Sequence, residues 1–209
     1  MAKLLYIEAS PRKERSASIE VSKVFLDAYT ESHPDDQIKK LDLWNMALPE
    51  FNGAVLDAKY AVLHGESHTP EQAEAWSDVV NMFEQFRSAD KYLISLPMWN
   101  FGIPYKLKHY IDVISQPGLA FSFSPTEGYK GLVTGKPITV IYARGGEYHD
   151  GSGAAAYDLQ KRYMELWLAF IGFTSIRSIL VEPMLYAPEV VASAKTIAKE
   201  MATTIATHF

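Results

Sequence analysis

Apolar residues along this chain fall into two recurring arrangements. Leu4 to Ile7, Lys91 to Leu96, Ile138 to Ala143 and Ser178 to Val181 are short, nearly continuous apolar runs, ended by Ser10-Pro11, Pro97, Gly145-Gly146 and Glu182-Pro183 respectively. Continuous rather than alternating hydrophobicity predicts strands covered on both faces, as in a parallel sheet. Gln37 to Leu43, where Ile38, Leu41 and Leu43 stand between charges, predicts an amphipathic edge strand.

Between these runs the apolar spacing turns helical. Val21, Val24, Phe25 and Ala28 sit at i, i+3, i+4 and i+7, as do Trp76, Val79, Val80 and Phe83, and Leu107, Tyr110, Ile111 and Ile114. Leu159, Tyr163, Leu166, Trp167 and Phe170 predict a fourth face, and Val190, Val191, Ala194, Ile197, Ala198 and Met201 a fifth. Thr69, Pro70 and Gln72 form a start signal with a capping box, Pro188 opens the last helix, and Pro117-Gly118 stops the middle one. Strands alternating with helices, joined by right-handed crossovers, predict a doubly wound α/β/α sandwich around five parallel strands in the order 2-1-3-4-5. Two excursions fall outside it: Trp44 to His68, with a short helix around Ala54 to Leu63, and Ala120 to Gly135, a surface hairpin. Asp35-Asp36 reads as a solvated turn.

Composition narrows the chemistry. The 209 residues suit one domain spanning 1–209, and the net charge of −5 lacks the basic balance that nucleic-acid binding needs. With no cysteine there are no disulfides, thiolate metal sites or cysteine nucleophile. His33, His64, His68, His109 and His208 include no H-E-x-x-H motif, so no metal is expected. No apolar run reaches the roughly 18 residues of a membrane helix, and no signal-peptide pattern opens the chain, so a cytoplasmic protein without membrane contact is expected.

In an open parallel sheet, ligands bind beyond the carboxyl ends of the strands where the strand order reverses. Three loops should meet there: Ser10 to Ser18 (SPRKERSAS), Pro97 to Pro104 (PMWNFGIP) and Ala143 to Gly151 (ARGGEYHDG). The first combines the hydroxyls of Ser10, Ser16 and Ser18 with a helix start and the charges of Arg12, Lys13 and Arg15. That mixture suits a phosphate monoester, and equally an ordinary serine-capped helix. No G-x-G-x-x-G or Walker pattern is present. In the second, Trp99 and Phe101 beside Asn100 and Gly102 suit a planar ligand, or the sealing of one end of the core. In the third, Gly145-Gly146 allows a close approach to a flat ring, or a plain turn.

With these segments in order, and GLVTGK ahead of the fourth strand, the chain resembles the FMN-dependent NADH-azoreductases of the flavodoxin-like NAD(P)H:quinone reductase group. The resemblance spans essentially the whole length, and PMWNFGIP is its most specific part. It implies tightly bound, non-covalent FMN, with Ser10, Arg12, Ser16, Ala17 and Ser18 around the phosphate. Pro97, Met98, Trp99, Asn100, Phe101 and Gly102 would line the ring, and Ala143, Arg144, Gly145 and Gly146 its pyrimidine side. Many relatives have Gln or Val where this chain has Ala17, and Ser where it has Ala143.

The resemblance further implies NADH or NADPH as reductant, quinones or azo compounds as acceptors, ping-pong hydride transfer through the flavin, and a homodimer whose second subunit lends Phe121 and Phe123 to a substrate wall, although their alternation in the hairpin equally suits plain packing. Tyr148 and His149 are candidate proton donors, or simply solvent-facing loop residues. Three other readings stay open. A flavodoxin-type electron carrier would have no small-molecule substrate site of its own. A phosphodiesterase lacks a nucleophile–base constellation here, and a flavin-independent relative would keep only the fold.

Overall fold

The computed structural model describes residues 1–209. In chain order it runs β1 (Lys3–Glu8), α1 (Ala17–Ser32), β2 (Gln37–Asp42), α2 (Gly53–His64), α3 (Pro70–Arg87), β3 (Lys91–Pro97) and α4 (Tyr105–Ile114). There follow β4 (Phe121–Ser124), β5 (Gly128–Gly131), β6 (Pro137–Ala143), α5 (Leu159–Ile171), β7 (Ser175–Val181) and α6 (Pro188–Thr207). The main sheet is β2-β1-β3-β6-β7, every neighbouring pair parallel, which is the expected 2-1-3-4-5 order once the β4–β5 hairpin is set aside.

The continuous apolar runs are explained by burial on both faces. Leu5, Ile7, Tyr92, Ile94, Val140 and Tyr142 face one core, packed beneath Val79, Phe83 and Phe86 of α3, Leu107 and Tyr110 of α4 and Met164 and Leu168 of α5. The alternate strand positions Leu4, Tyr6, Leu93, Ile141 and Ile179 face the other, under Val21, Phe25 and Tyr29 of α1 and Ala198, Ala202 and Ala206 of α6. On β2 only Leu41 is buried, as an edge strand requires. Thr69 and Gln72 close the capping box at α3, with both reciprocal hydrogen bonds formed.

Two helices turn a different face to the sheet from the one the spacing predicts. On α5 the buried set is Gln160, Met164, Trp167, Leu168 and Ile171, while Leu159 and Leu166 are 55% and 70% exposed. The helix carries two apolar stripes, and the one containing Met164, Leu168 and Ile171 meets the strands. On α6 the alanines at i, i+4 and i+8 are buried, and Ile197 and Met201 lie outside. α6 packs along α1, where small side chains permit close approach and Lys195 and Lys199 both pair with Glu20.

Asp36 is a hub rather than a solvated turn: its carboxylate accepts from the Ala2 N–H, the Tyr29 hydroxyl and Lys91. The antiparallel β4–β5 hairpin docks at its base on the C-terminal end of α5. There the Val133 N–H donates to the Ile171 carbonyl at 2.8 Å, and the backbones approach so closely that a Cβ on Gly131 would lie 2.3 Å from the Gly172 nitrogen. No helix is long and apolar enough to cross a membrane.

Candidate functional site

The loops that leave β1, β3 and β6 begin side by side, because these strands are neighbours in the sheet. The Ala9 N–H donates to the Ser95 carbonyl at 3.0 Å and the Met98 N–H to the Ala143 carbonyl at 2.8 Å, so hydrogen bonding continues past the strand ends into the loops. Ser10, Met98 to Gly102 and Ala143 to Gly146 therefore share one rim, at the point where strand order reverses.

At the first loop, Ser10, Ser16 and Ser18 are all buried. Ser16 caps α1, its Oγ accepting from the Ile19 N–H at 3.4 Å and lying 3.1 Å from the Ser18 Oγ. Ala17 and Ser18 carry the first N–H groups of a 16-residue helix, and neither has a backbone acceptor. Free N–H groups at the positive end of a helix dipole, with hydroxyls around them, form an anion cradle. Arg12 and Arg15 flank it, exposed. Lys13 departs from expectation. Its ammonium pairs with Glu8 and Asp42 and adds no free charge to the cradle.

The second loop is a tight two-residue turn. Trp99 and Gly102 exchange hydrogen bonds of 3.0 and 2.9 Å, and the residues between them, Asn100 and Phe101, take φ of +48° and +69°. Positive φ at both central positions is the I′ arrangement, which asparagine tolerates and phenylalanine rarely adopts. The turn holds Phe101 outward, 46% exposed, against Tyr157 at 5.2 Å between ring centroids. Trp99 is half-buried between Trp44 and Tyr105, so neither aromatic seals the core.

The third loop corrects one expected contact. The Arg144 side chain is 1% exposed and points inward, pairing with Asp158 and, through Nε at 2.9 Å, with Glu182. Its N–H donates to the Val181 carbonyl and its carbonyl accepts from Met184. Arg144 therefore anchors the loop and offers a ligand no side-chain group. At Gly145 the constraint is packing rather than positive φ: a Cβ there would lie 2.7 Å from Leu185 Cδ1. The Tyr148 ring lies against the Arg144 guanidinium at 5.4 Å, with its hydroxyl beside Gly146. His149 is exposed, its Nδ1 2.9 Å from the Asp150 carbonyl.

Phe121 and Phe123 are not at this rim. α5 runs back from the carboxyl end of β6 to the start of β7, and Phe121 packs on Phe170 near that helix's far end, 4.8 Å between centroids. Phe123, 60% exposed, leans on Tyr129. Within one chain, both lie at the opposite end of the sheet from the three loops. Sequence reasoning missed Trp44 and Tyr105, whose rings meet at 5.3 Å beside Trp99. Trp44 stands two residues beyond β2, and that strand-end position was the available signal.

The donor set fits FMN: buried hydroxyls and free helix N–H groups for a phosphate, then an aromatic-walled turn and a narrow glycine segment for a flat ring. Comparison with known proteins agrees. A family model described as flavodoxin-like fold matches residues 2–205. The FMN-dependent NADH:quinone oxidoreductase of Desulfotalea psychrophila is 56% identical over 185 residues, covering 88% of this chain and 87% of that one. The azoreductase from Bacillus anthracis strain Sterne superposes with a TM-score of 0.92 at 31% identity, over 100% of both chains. An FMN-dependent NADH-azoreductase from Bacillus anthracis strain Ames Ancestor, solved in complex with FMN, gives a TM-score of 0.86 at 30% identity, over 99% of this chain and 100% of that one. The chain belongs to the flavodoxin-like family, within its branch of FMN-dependent NADH:quinone oxidoreductases and azoreductases.

Proposed function

We propose that residues 1–209 form one FMN-binding domain that takes reducing equivalents from NADH and reduces quinones and aromatic azo compounds. The observation that carries this reading is the convergence of the serine cradle, the Trp99–Gly102 turn and the Gly145-Gly146 segment on one rim. The names of the relatives support both the cofactor and the acceptor classes.

FMN, when bound, supplies the two-electron chemistry that no side chain of this protein can perform. Ser10, Ser16, Ser18 and the first N–H groups of α1 hold the phosphate, and Arg12 adds positive potential from the exposed side. Met98, Asn100 and the surrounding main chain orient the ring edge, while Trp99 and Phe101 exclude water from the mouth. Ala143, Gly145 and Gly146 present backbone to the pyrimidine side. The N–H groups of Gly145 and Gly146, fixed in advance, would stabilise negative charge at that edge of a bound ring. Tyr148, held against Arg144, keeps a hydroxyl at the same loop and is the better placed of the two proton-donor candidates. Reductant and acceptor occupy the mouth in turn, the ping-pong order.

Phe121 and Phe123 enter this scheme only across a subunit boundary, and Tyr105, Tyr157, Leu159 and Leu166 leave exposed apolar surface that supports a homodimer. NADH dependence supports a cytoplasmic location. The test is direct. Purified protein should be yellow, release FMN on denaturation, and oxidise NADH rapidly only when a quinone or azo dye is present, with parallel lines in initial-velocity plots. A colourless protein that neither takes up FMN nor oxidises NADH overturns the reading.

A further inference from the structure

We propose that Lys13 is a positioning residue for phosphate recognition, its ion pairs beneath the first loop setting the backbone that presents Ser16 and Ser18. The inference rests on the reading of that loop as the FMN phosphate site.

The basic residues of the loop divide into two kinds. Arg12 and Arg15 are exposed at its surface. Lys13 turns down, its Nζ 2.8 Å from Glu8 Oε1 and 2.5 Å from Asp42 Oδ2. Glu8 ends β1 and is 1% exposed, Asp42 ends β2, and Lys40 takes the remaining Glu8 oxygen at 2.5 Å. Two carboxylates and two ammonium groups thus close a balanced cluster under the cradle. Burial disfavours the Lys13 ammonium, but Asp42 and Glu8 outweigh it and leave its pKa above the ordinary lysine value.

The ion pairs act on the site through the backbone. Lys13 has φ of +47°, a left-handed conformation that a residue with a Cβ adopts only under constraint. In that conformation its carbonyl accepts the Ser16 N–H at 2.9 Å, and the Ser16 Oγ in turn lies 3.1 Å from the Ser18 Oγ. A continuous path therefore leads from the Glu8 and Asp42 carboxylates to the cradle.

Titration of apoprotein with FMN and with riboflavin, which lacks the phosphate, tests this. The wild type should prefer FMN by about 100-fold or more, and absence of any preference would overturn the phosphate-site reading itself. Given that preference, Lys13→Met should weaken FMN binding about 30-fold and riboflavin binding less than threefold. Lys13→Gly, which relaxes the backbone but removes the cation, should lose as much, and Lys13→Arg should retain FMN affinity within about threefold. Asp42→Asn should cost about fivefold for FMN alone, and decides the matter should Lys13→Met not fold. Equal losses for both flavins, or unchanged FMN affinity in Lys13→Met or in Asp42→Asn, would overturn the role of Lys13 while leaving the phosphate site in place.

Discussion

The indole N–H of Trp44 donates to the carbonyl of Ala9 at 3.1 Å. Ala9 immediately precedes the serine loop, and the Trp44 ring also packs against Trp99 at 5.6 Å. One side chain beyond β2 thus joins the phosphate loop to the ring loop. Trp44→Phe keeps most of the packing but leaves that carbonyl without its donor. It should lower stability by about 1–2 kcal/mol, the usual cost of an unsatisfied, partly buried acceptor, and weaken FMN binding. Urea denaturation and flavin titration measure the two effects separately.

Arg144 is enclosed by Asp158 and Glu182, with side-chain exposures of 1%, 9% and 10%. Asp158 also caps α5 by accepting from the Lys161 N–H at 2.9 Å. Arg144→Met would leave two carboxylates facing each other without a counter-ion, a loss of about 3–5 kcal/mol. Arg87→Met, which breaks the exposed pair with Glu84, should leave the urea midpoint unchanged.

Asp36 gives acid stability a defined window. The Ala2 N–H, then the Tyr29 hydroxyl, then Lys91 hold its carboxyl down at about 2 against partial burial. An unfolded aspartate titrates near 4, so between these values the unfolded chain binds the proton more readily. The stabilisation is complete above about pH 4 and fades as the pH falls toward 2. Asp36→Asn should melt below the wild type at pH 7, and the two melting curves should converge on acidification. A constant gap across that range would rule out Asp36 as the titrating group.

Gly131 and Gly53 make a matched pair. A Cβ on Gly131 meets the Ile171 and Gly172 backbone at 2.3 Å, whereas one on Gly53, at the start of α2, meets nothing within 4 Å. Gly131→Ala should destabilise by about 1–3 kcal/mol or more, since backbone cannot yield as a side chain can. Gly53→Ala should stabilise by about 0.4–1 kcal/mol by restricting the unfolded chain. Urea denaturation of both variants gives the comparison.

Asn100 combines a backbone role with a chemical one. Asn100→Gly removes the amide but accepts φ of +48° without strain, while Asn100→Ala keeps the Cβ and loses the amide that lets asparagine tolerate that conformation. Both should weaken FMN retention, and only Asn100→Ala should lower the melting temperature. Wild-type FMN affinity in Asn100→Gly would show that the amide does not reach the ring.

The sheet and its order were readable because strands such as Leu4–Ile7 and Ile138–Ala143 bury both faces and end on clear breakers. The rim followed from topology, since Ser10, Asn100 and Gly145 lie just beyond strands that must be neighbours. Side-chain direction was less legible. A basic loop residue looks alike whether it faces a ligand or a buried carboxylate, and the partners of Lys13 and Arg144 lie on other elements. The buried face of α5 was ambiguous because Leu159 and Leu166 form a second stripe as apolar as that of Met164 and Leu168. The distance of Phe121 from the rim depends on the Gly131–Gly172 seam, a tertiary contact with no local signature.

The rim draws its parts from Ser10, from Met98 to Gly102 and from Ala143 to Gly146, three stretches far apart in sequence. During synthesis the full set exists only after Gly146 has emerged and β6 has inserted beside β3. The pigment therefore cannot template the early steps of folding, and it enters a nearly finished chain. Its colour would then report completed maturation, and truncated products should stay pale even where their amino-terminal half is folded.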